Sequence, residues 1–178
     1  MRKILVVVDM QNDFISGSLG TQEAVRIVPK VLDKIDTYDI KDIYVTMDTH
    51  QSNYLETNEG RHLPVVHCVE GTWGWELQED LKAALAGATV VHKPTFGSTA
   101  LMELLTKEYR SMDSAGEAFS VELIGLCTDI CVVSNALLVK AAMPEINVKV
   151  DGSCCAGVTA YRHEAALTTM KICQIEVF

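Results

Sequence analysis

Gly125-Leu126-Cys127-Thr128-Asp129-Ile130-Cys131-Val132 is the stretch on which the reading of the chain turns. Before it, Phe119-Ser120-Val121-Glu122-Leu123-Ile124 is short, apolar and β-branched, and predicts a buried strand. After it, Val132, Val133, Ala136, Leu137, Val139 and Lys140 recur at helical spacing, with Thr128 or Asp129 available as N-cap. A strand that runs straight into a helix is the building unit of an α/β sheet. Cys131 then falls in the first turn of the helix, where free N–H groups and the dipole favour a thiolate. The stretch alone equally admits Cys131 as a small buried apolar residue, the commoner fate of a free cysteine.

Working outward, the same alternation repeats. Ile4-Leu5-Val6-Val7-Val8 is a continuous apolar run, as expected of a strand covered on both faces, and it stops at Asp9 before a polar loop with Gly17 and Gly20. Apolar spacing predicts a helix over 23–38, with Pro29 as an early break. A second strand over 42–47 stops at Asp48. Residues 48–76 form a long connection whose histidines and tryptophans argue for an ordered, functional loop. A short helix over 77–85, a strand over 88–92 leading into Lys93, and a helix over 100–109 follow. Residues 111–118 read as a polar surface connection. Beyond the Cys131 helix come a strand over 146–150 closing at Asp151, a helix over 161–170 and a strand over 173–178. This order predicts one domain over 1–178, a three-layer α/β/α sandwich around a mostly parallel six-stranded sheet.

Composition narrows the partners. The net charge of −9 argues against nucleic acid or an anionic membrane surface. No apolar run reaches the length of a membrane span, and Met1-Arg2-Lys3 leads into a strand rather than a signal peptide. The cysteines show no C-x-x-C pair, and adjacent Cys154 and Cys155 are poor partners for each other, so a reducing cytoplasm is expected.

In parallel α/β sheets ligands bind beyond the carboxyl ends of the strands. Asp9, Asp48, Lys93 and Cys131 each fall at such an end, which reads as an active site. A cysteine nucleophile needs its proton moved, and Asp9 can accept it and later give it to a leaving amine. Lys93 can hold the thiolate or a developing negative charge. Taken singly, Asp9 and Lys93 would more often be solvated surface charges. Asp48 and His50, two apart in an extended segment, point the same way and with His67 offer a mixed oxygen and nitrogen donor set. Zinc suits it first, with manganese or iron also accepted, and Glu59 is a further carboxylate in the same loop. Loop histidines that merely cap and hydrogen-bond are the competing reading. His62, His92 and His163 read as structural or solvated.

Three of these motifs resemble a known family. Asp9-Met10-Gln11-Asn12-Asp13-Phe14, Lys93-Pro94-Thr95-Phe96-Gly97-Ser98 and Gly125 to Val132 are similar to the opening, lysine and nucleophile motifs of the isochorismatase-like cysteine hydrolases. The resemblance runs from Lys3 to Val177. It implies Asp9, Lys93 and Cys131 as a catalytic triad. It also implies a cis peptide at Leu126–Cys127, an oxyanion hole from the backbone N–H groups of Cys127 and Cys131, and a homo-oligomer. Asp48-x-His50 with His67-Cys68-Val69-x-Gly71-Thr72 is similar to the nicotinamidase branch, which implies a divalent metal holding the pyridine nitrogen of nicotinamide, a small amide. Gln11, Phe14, Leu126 and Trp73 are the expected substrate-pocket residues, with Trp75 a further candidate. One departure stands out: nicotinamidases often carry Trp-Pro just before the second metal histidine, and here the segment is Leu63-Pro64-Val65-Val66-His67. A cysteine hydrolase of another small amide or a vinyl ether, or a non-catalytic binding protein on the same sheet, are the alternative expectations.

Overall fold

A computed structural model describes residues 2–113 and 118–178. Its order is β1 (Arg2–Val8), α1 (Asn12–Ile15), α2 (Gln22–Ile35), β2 (Ile43–Asp48), α3 (Asn58–His62), α4 (Glu79–Ala84), β3 (Thr89–Lys93), α5 (Thr99–Asp113), β4 (Phe119–Leu126), α6 (Val133–Ala142), β5 (Asn147–Ala156), α7 (Ala160–Ile172) and β6 (Glu176–Val177). The strands form one six-stranded sheet in the order β3-β2-β1-β4-β5-β6, and every pairing is parallel. The expected α/β/α sandwich is the fold observed.

β1 shows how the layers arise. Its side chains alternate across the sheet, as the two-residue period of a strand requires. Ile4, Val6 and Val8 join Leu101, Leu105, Ala136 and Val139 on one side. Leu5 and Val7 join Ala24, Ile27, Val31 and Leu81 on the other. So α5, α6 and α7 cover one face, and α2 and α4 the other. α2 is fixed by the Thr21 hydroxyl, which accepts from Ala24 N, and buries Ala24, Ile27, Val28, Val31 and Ile35. Pro29 lies inside this helix rather than breaking it early. The carbonyl that Pro29 leaves without a partner belongs to Val25, which is exposed, so water can satisfy it.

Some boundaries differ from the sequence reading. β5 does not close at Asp151. The Asp151 carboxylate accepts from Ser153 N and Oγ, which bends the strand into a register shift against β4, and pairing resumes at Cys155 and Ala156. β6 is shorter than residues 173–178, because α7 runs on to Ile172; Glu176 and Val177 pair with β5, and Phe178 still bonds to Val150 and Gly152 of that strand. α5 continues through Asp113, so 111–113 are helical, while 114–117 of the expected connection lie outside the described residues. Among the described residues no helix is long and apolar enough to cross a membrane.

The strand order reverses between β1 and β4, since β2 lies to one side of β1 and β5 beyond β4. Helices leave the sheet in opposite directions there and open a crevice. Gly125 makes the close approach at this point possible. Its φ is +113°, and a Cβ on it would stand 2.2 Å from Val8 O. Gly125→Ala should therefore lower stability by about 2–4 kcal/mol, read as a fall in the urea midpoint with an unchanged m-value; an unshifted midpoint would refute this account of the crevice.

Candidate active site

The ends of β1, β2, β3 and β4 each deliver one side chain to the site. Asp9 leaves β1 with φ +48°, a left-handed conformation that Asp tolerates better than most residues. There its Oδ1 accepts from Thr46 Oγ1 at 2.6 Å. Asp48 and Lys93 are the last residues of β2 and β3 and pair across the sheet. Beyond β4 the chain passes through a cis peptide at Leu126–Cys127 and a five-residue π turn, Thr128–Val132, before α6 begins. Cys131 lies in that turn, of a kind frequent at functional sites. Neither expected N-cap acts as one. The Asp129 carboxylate accepts from Val158 N at 3.0 Å, and Thr128 Oγ1 lies 2.8 Å from His163 Nδ1, so both side chains tie the turn to the start of α7.

Lys93 is the hub. Its Nζ lies 2.6 Å from Asp9 Oδ2 and 3.4 Å from Asp48 Oδ1. It also donates to Cys131 Sγ at 3.4 Å and to Thr95 O at 3.1 Å. The three residues named for chemistry are thus brought together, and all are buried. Burial alone would discharge Lys93, but Asp9, Cys131 and Asp48 outweigh it and hold the ammonium charged. Burial pushes the Asp9 carboxyl up, against the pull of Lys93. Burial and then the Asp9 charge push the Cys131 thiol well up, and Lys93 offsets this only in part. Burial thus works against the thiolate that the start of a helix alone would favour.

A second group sits beside the first. A short parallel bridge between His50 and Val69 sets His50 near His67, with ring centroids 4.8 Å apart. Asp13, from the loop after β1, secures this segment through its carboxylate, which accepts from Cys68 N at 2.8 Å. Asp48 Oδ2 lies 3.0 Å from His50 Nε2 and 3.5 Å from His67 Nε2, and Glu59 Oε1 lies 3.7 Å from both nitrogens. Four donors about 2.1 Å from a tetrahedral ion stand roughly 3.4 Å apart. The set fits a divalent metal on two further counts. His50 Nε2 is buried without a hydrogen-bond partner, and His67 Nδ1 is 2.8 Å from Val65 O, which fixes the tautomer that leaves Nε2 free to ligate. The two histidines pull the Asp48 carboxyl far down despite its burial.

Both groups open on one cavity of about 180 Å³, whose lining includes Asp48, Glu59 and His67 as well as Cys127 and Cys131. Of the expected pocket residues, Phe14 and Leu126 line it, and Gln11 and Trp73 do not. The Gln11 carboxamide instead clasps the Asp48 backbone, donating to its O and accepting from its N, each at 2.8 Å. Trp73 is 62% exposed, and Trp75 donates from Nε1 to Thr49 Oγ1. The remaining walls include Leu19, Ala24, Leu63, Phe96, Ile130 and Arg162. Phe96 and Ile130 fall within the quoted lysine and nucleophile motifs, whereas Leu19, Ala24, Leu63 and Arg162 come from separate segments that no local signal in the sequence marks.

Residues 3–178 match the family profile described as "Isochorismatase domain". A curated nicotinamidase from Saccharomyces cerevisiae is 33% identical over 109 residues, a match covering 44% of this chain and 50% of the yeast protein. The chain therefore spans about half the length of that relative. A structure described as pyrazinamidase of Pyrococcus horikoshii in complex with zinc superposes with a TM-score of 0.78 and 27% identity, covering 100% of this chain and 99% of that one. A nicotinamidase from Bacillus subtilis gives a TM-score of 0.76 and 25% identity, covering 99% of both. If Asp48, His50, Glu59 and His67 hold an ion together, protein loaded with zinc and desalted should carry one ion per chain by atomic absorption. His67→Ala should then weaken retention at least about 100-fold; equal metal content in the two proteins would exclude this donor set.

Proposed function

The chain belongs to the isochorismatase family, and on that footing we propose that it is a nicotinamidase-type amidohydrolase, converting nicotinamide and water to nicotinate and ammonia. The observation that carries this reading is the single cavity with Cys131 in one wall and Asp48, Glu59 and His67 in another. Its 180 Å³ suits one six-membered ring with a carboxamide, since a cavity of about 150 Å³ already admits benzene.

A divalent ion, zinc first, would supply a Lewis-acid contact for the ring nitrogen when held by Asp48, His50, His67 and Glu59. This chain's own groups do the rest. Asp9 accepts the Cys131 proton and the sulfur attacks the amide carbon. Negative charge developing on the carbonyl oxygen is met by the backbone N–H groups of Cys127 and Cys131, with the Lys93 cation nearby. The proton on Asp9 passes to the nitrogen, ammonia departs, and the acyl group remains on Cys131 as a thioester. Asp9 then takes a proton from water, which attacks the thioester. The C–S bond breaks, the carboxylic acid leaves and loses its proton to solvent, and the thiol regains its own from Asp9. Apolar walls from Phe14, Leu126 and Ile130 keep other water from the intermediate.

Leu63, which lines the cavity in the segment where nicotinamidases often place a tryptophan, favours a second reading: the same chemistry on another small amide. Ammonia release from nicotinamide and a panel of small amides separates the two. The expected outcome is the highest kcat/KM for nicotinamide, loss of activity on chelation, recovery with zinc, and a fall of about 10³-fold or more in Cys131→Ala. A metal-loaded protein that spares nicotinamide but hydrolyses another amide would remove the substrate and keep the mechanism. Normal turnover by Cys131→Ala would remove both.

A further inference from the structure

Asn135 lies one helical turn beyond Cys131, on α6, and is 1% exposed. Asparagine is a poor choice for a helix interior on propensity alone, so its carboxamide should have work elsewhere. It does. Nδ2 donates to Cys131 O at 2.8 Å and to Phe96 O at 3.1 Å, and Oδ1 accepts from Ser98 N at 2.9 Å. Both of its N–H donors and its acceptor are thus engaged. The partners belong to two segments distant in sequence: the π turn that carries Cys131, and the connection after β3 that begins at Lys93.

That connection has few other anchors at its middle. Lys93 Nζ donates to Thr95 O, and Thr95 Oγ1 donates to Gly97 O. Gly97 packs so close to α6 that a Cβ on it would stand 2.5 Å from Leu138 Cδ1. The Asn135 amide is the polar clasp across this contact, holding the backbone on either side of Gly97. Through Cys131 O it holds the nucleophile turn as well.

We propose that Asn135 is a positioning residue that fixes the Lys93 connection against the Cys131 turn, and so sets the reach of the Lys93 ammonium to the Cys131 sulfur. It touches neither the cavity's contents nor the reacting atoms. The inference rests on Cys131 being the nucleophile, and does not depend on nicotinamide being the substrate.

Two variants and a control test it in the full-length, metal-loaded protein. Asn135→Ser keeps a hydroxyl able to bond the carbonyl four residues back but cannot span to Phe96 and Ser98. Asn135→Asp keeps the shape and the acceptor for Ser98 N but loses both donors. Val139→Ala, on the same helix and fully buried, removes core packing without touching either segment. All are assayed well below their own Tm and normalised to folded protein. Both Asn135 variants should lose about 10–100-fold in kcat, the scale of a misplaced catalytic group, with KM moving less, and Val139→Ala should keep wild-type kcat despite a lower Tm. Labelling of Cys131 by iodoacetamide, followed by peptide mass spectrometry, should be several-fold slower in both Asn135 variants, because the thiolate that reacts loses its cation. Labelling at or above the wild-type rate, or a kcat loss matched by Val139→Ala, would overturn the proposal. Labelling needs no substrate, so a wild type that released no ammonia from nicotinamide would sink that reading and leave this test standing.

Discussion

The contact between the Lys93 ammonium and the Asp9 carboxylate, 2.6 Å long and out of reach of solvent, constrains everything near it. Neither charge is stable alone in that position, and removing one partner of such a pair typically costs about 3–5 kcal/mol. One cation, however, faces more than one acid. With Asp9, Cys131 and Asp48 all close to Lys93, a single cation faces three acidic groups and cannot neutralise them all. That imbalance is chemically useful. Titratable groups whose surroundings push them apart in this way are how sites run acid and base chemistry near neutral pH.

The sheet dictates why these groups meet. Asp9, Asp48 and Lys93 come from the ends of β1, β2 and β3, and the cysteine turn follows β4, next to β1 in the sheet. The register that puts Asp48 opposite Lys93 and Val8 opposite Gly125 is set by apolar side chains along the whole strand. A slip of one residue would turn every buried valine to the wrong face. Placement of the polar rim is therefore enforced by the hydrophobic core beneath it. The loop after β1 extends this reach: the Gln11 carboxamide pins the Asp48 backbone, and the Asp13 carboxylate pins Cys68 N, beside His67.

What the sequence made legible follows from where information is local. Strands such as Ile4–Val8 announce themselves because burial on both faces demands a continuous apolar run. Asp9, Asp48, Lys93 and Cys131 could be placed because each sits at the end of such a run, His50 because of its spacing from Asp48, and His67 because its segment resembles that of the nicotinamidase branch. Boundaries were lost where a side chain overrode the pattern. Asp151 reads as a stop signal, yet its carboxylate closes a bend from which β5 continues. Asp129 and Thr128 read as helix caps, yet Asp129 bonds to Val158 just ahead of α7 and Thr128 to His163 within it, some thirty residues away in sequence. Gln11 was expected in the pocket as part of the opening motif and Trp73 as a wall in place of the missing tryptophan, and neither position in sequence decides which way a side chain points.

The same division separates chemistry from specificity. The groups proposed to react hang on strand ends, where the core beneath fixes their positions, and the fold itself matches solved relatives of 25–27% identity over nearly the whole chain. Apart from Leu126 and Ile130, beside the nucleophile, the walls that would meet a substrate ring come from the segment after β1, from α2, from the loop ahead of His67, from the connection after β3 and from the start of α7. Each can change alone without disturbing the sheet. Leu63 is such a change: it alters the surface a ring would lie against while His67, four residues later, stays tied by its Nδ1 to Val65 O. A fold built this way can keep its strand-end groups constant while its walls vary, and on the function proposed above the shape of that wall, rather than the triad, would decide which amide is turned over.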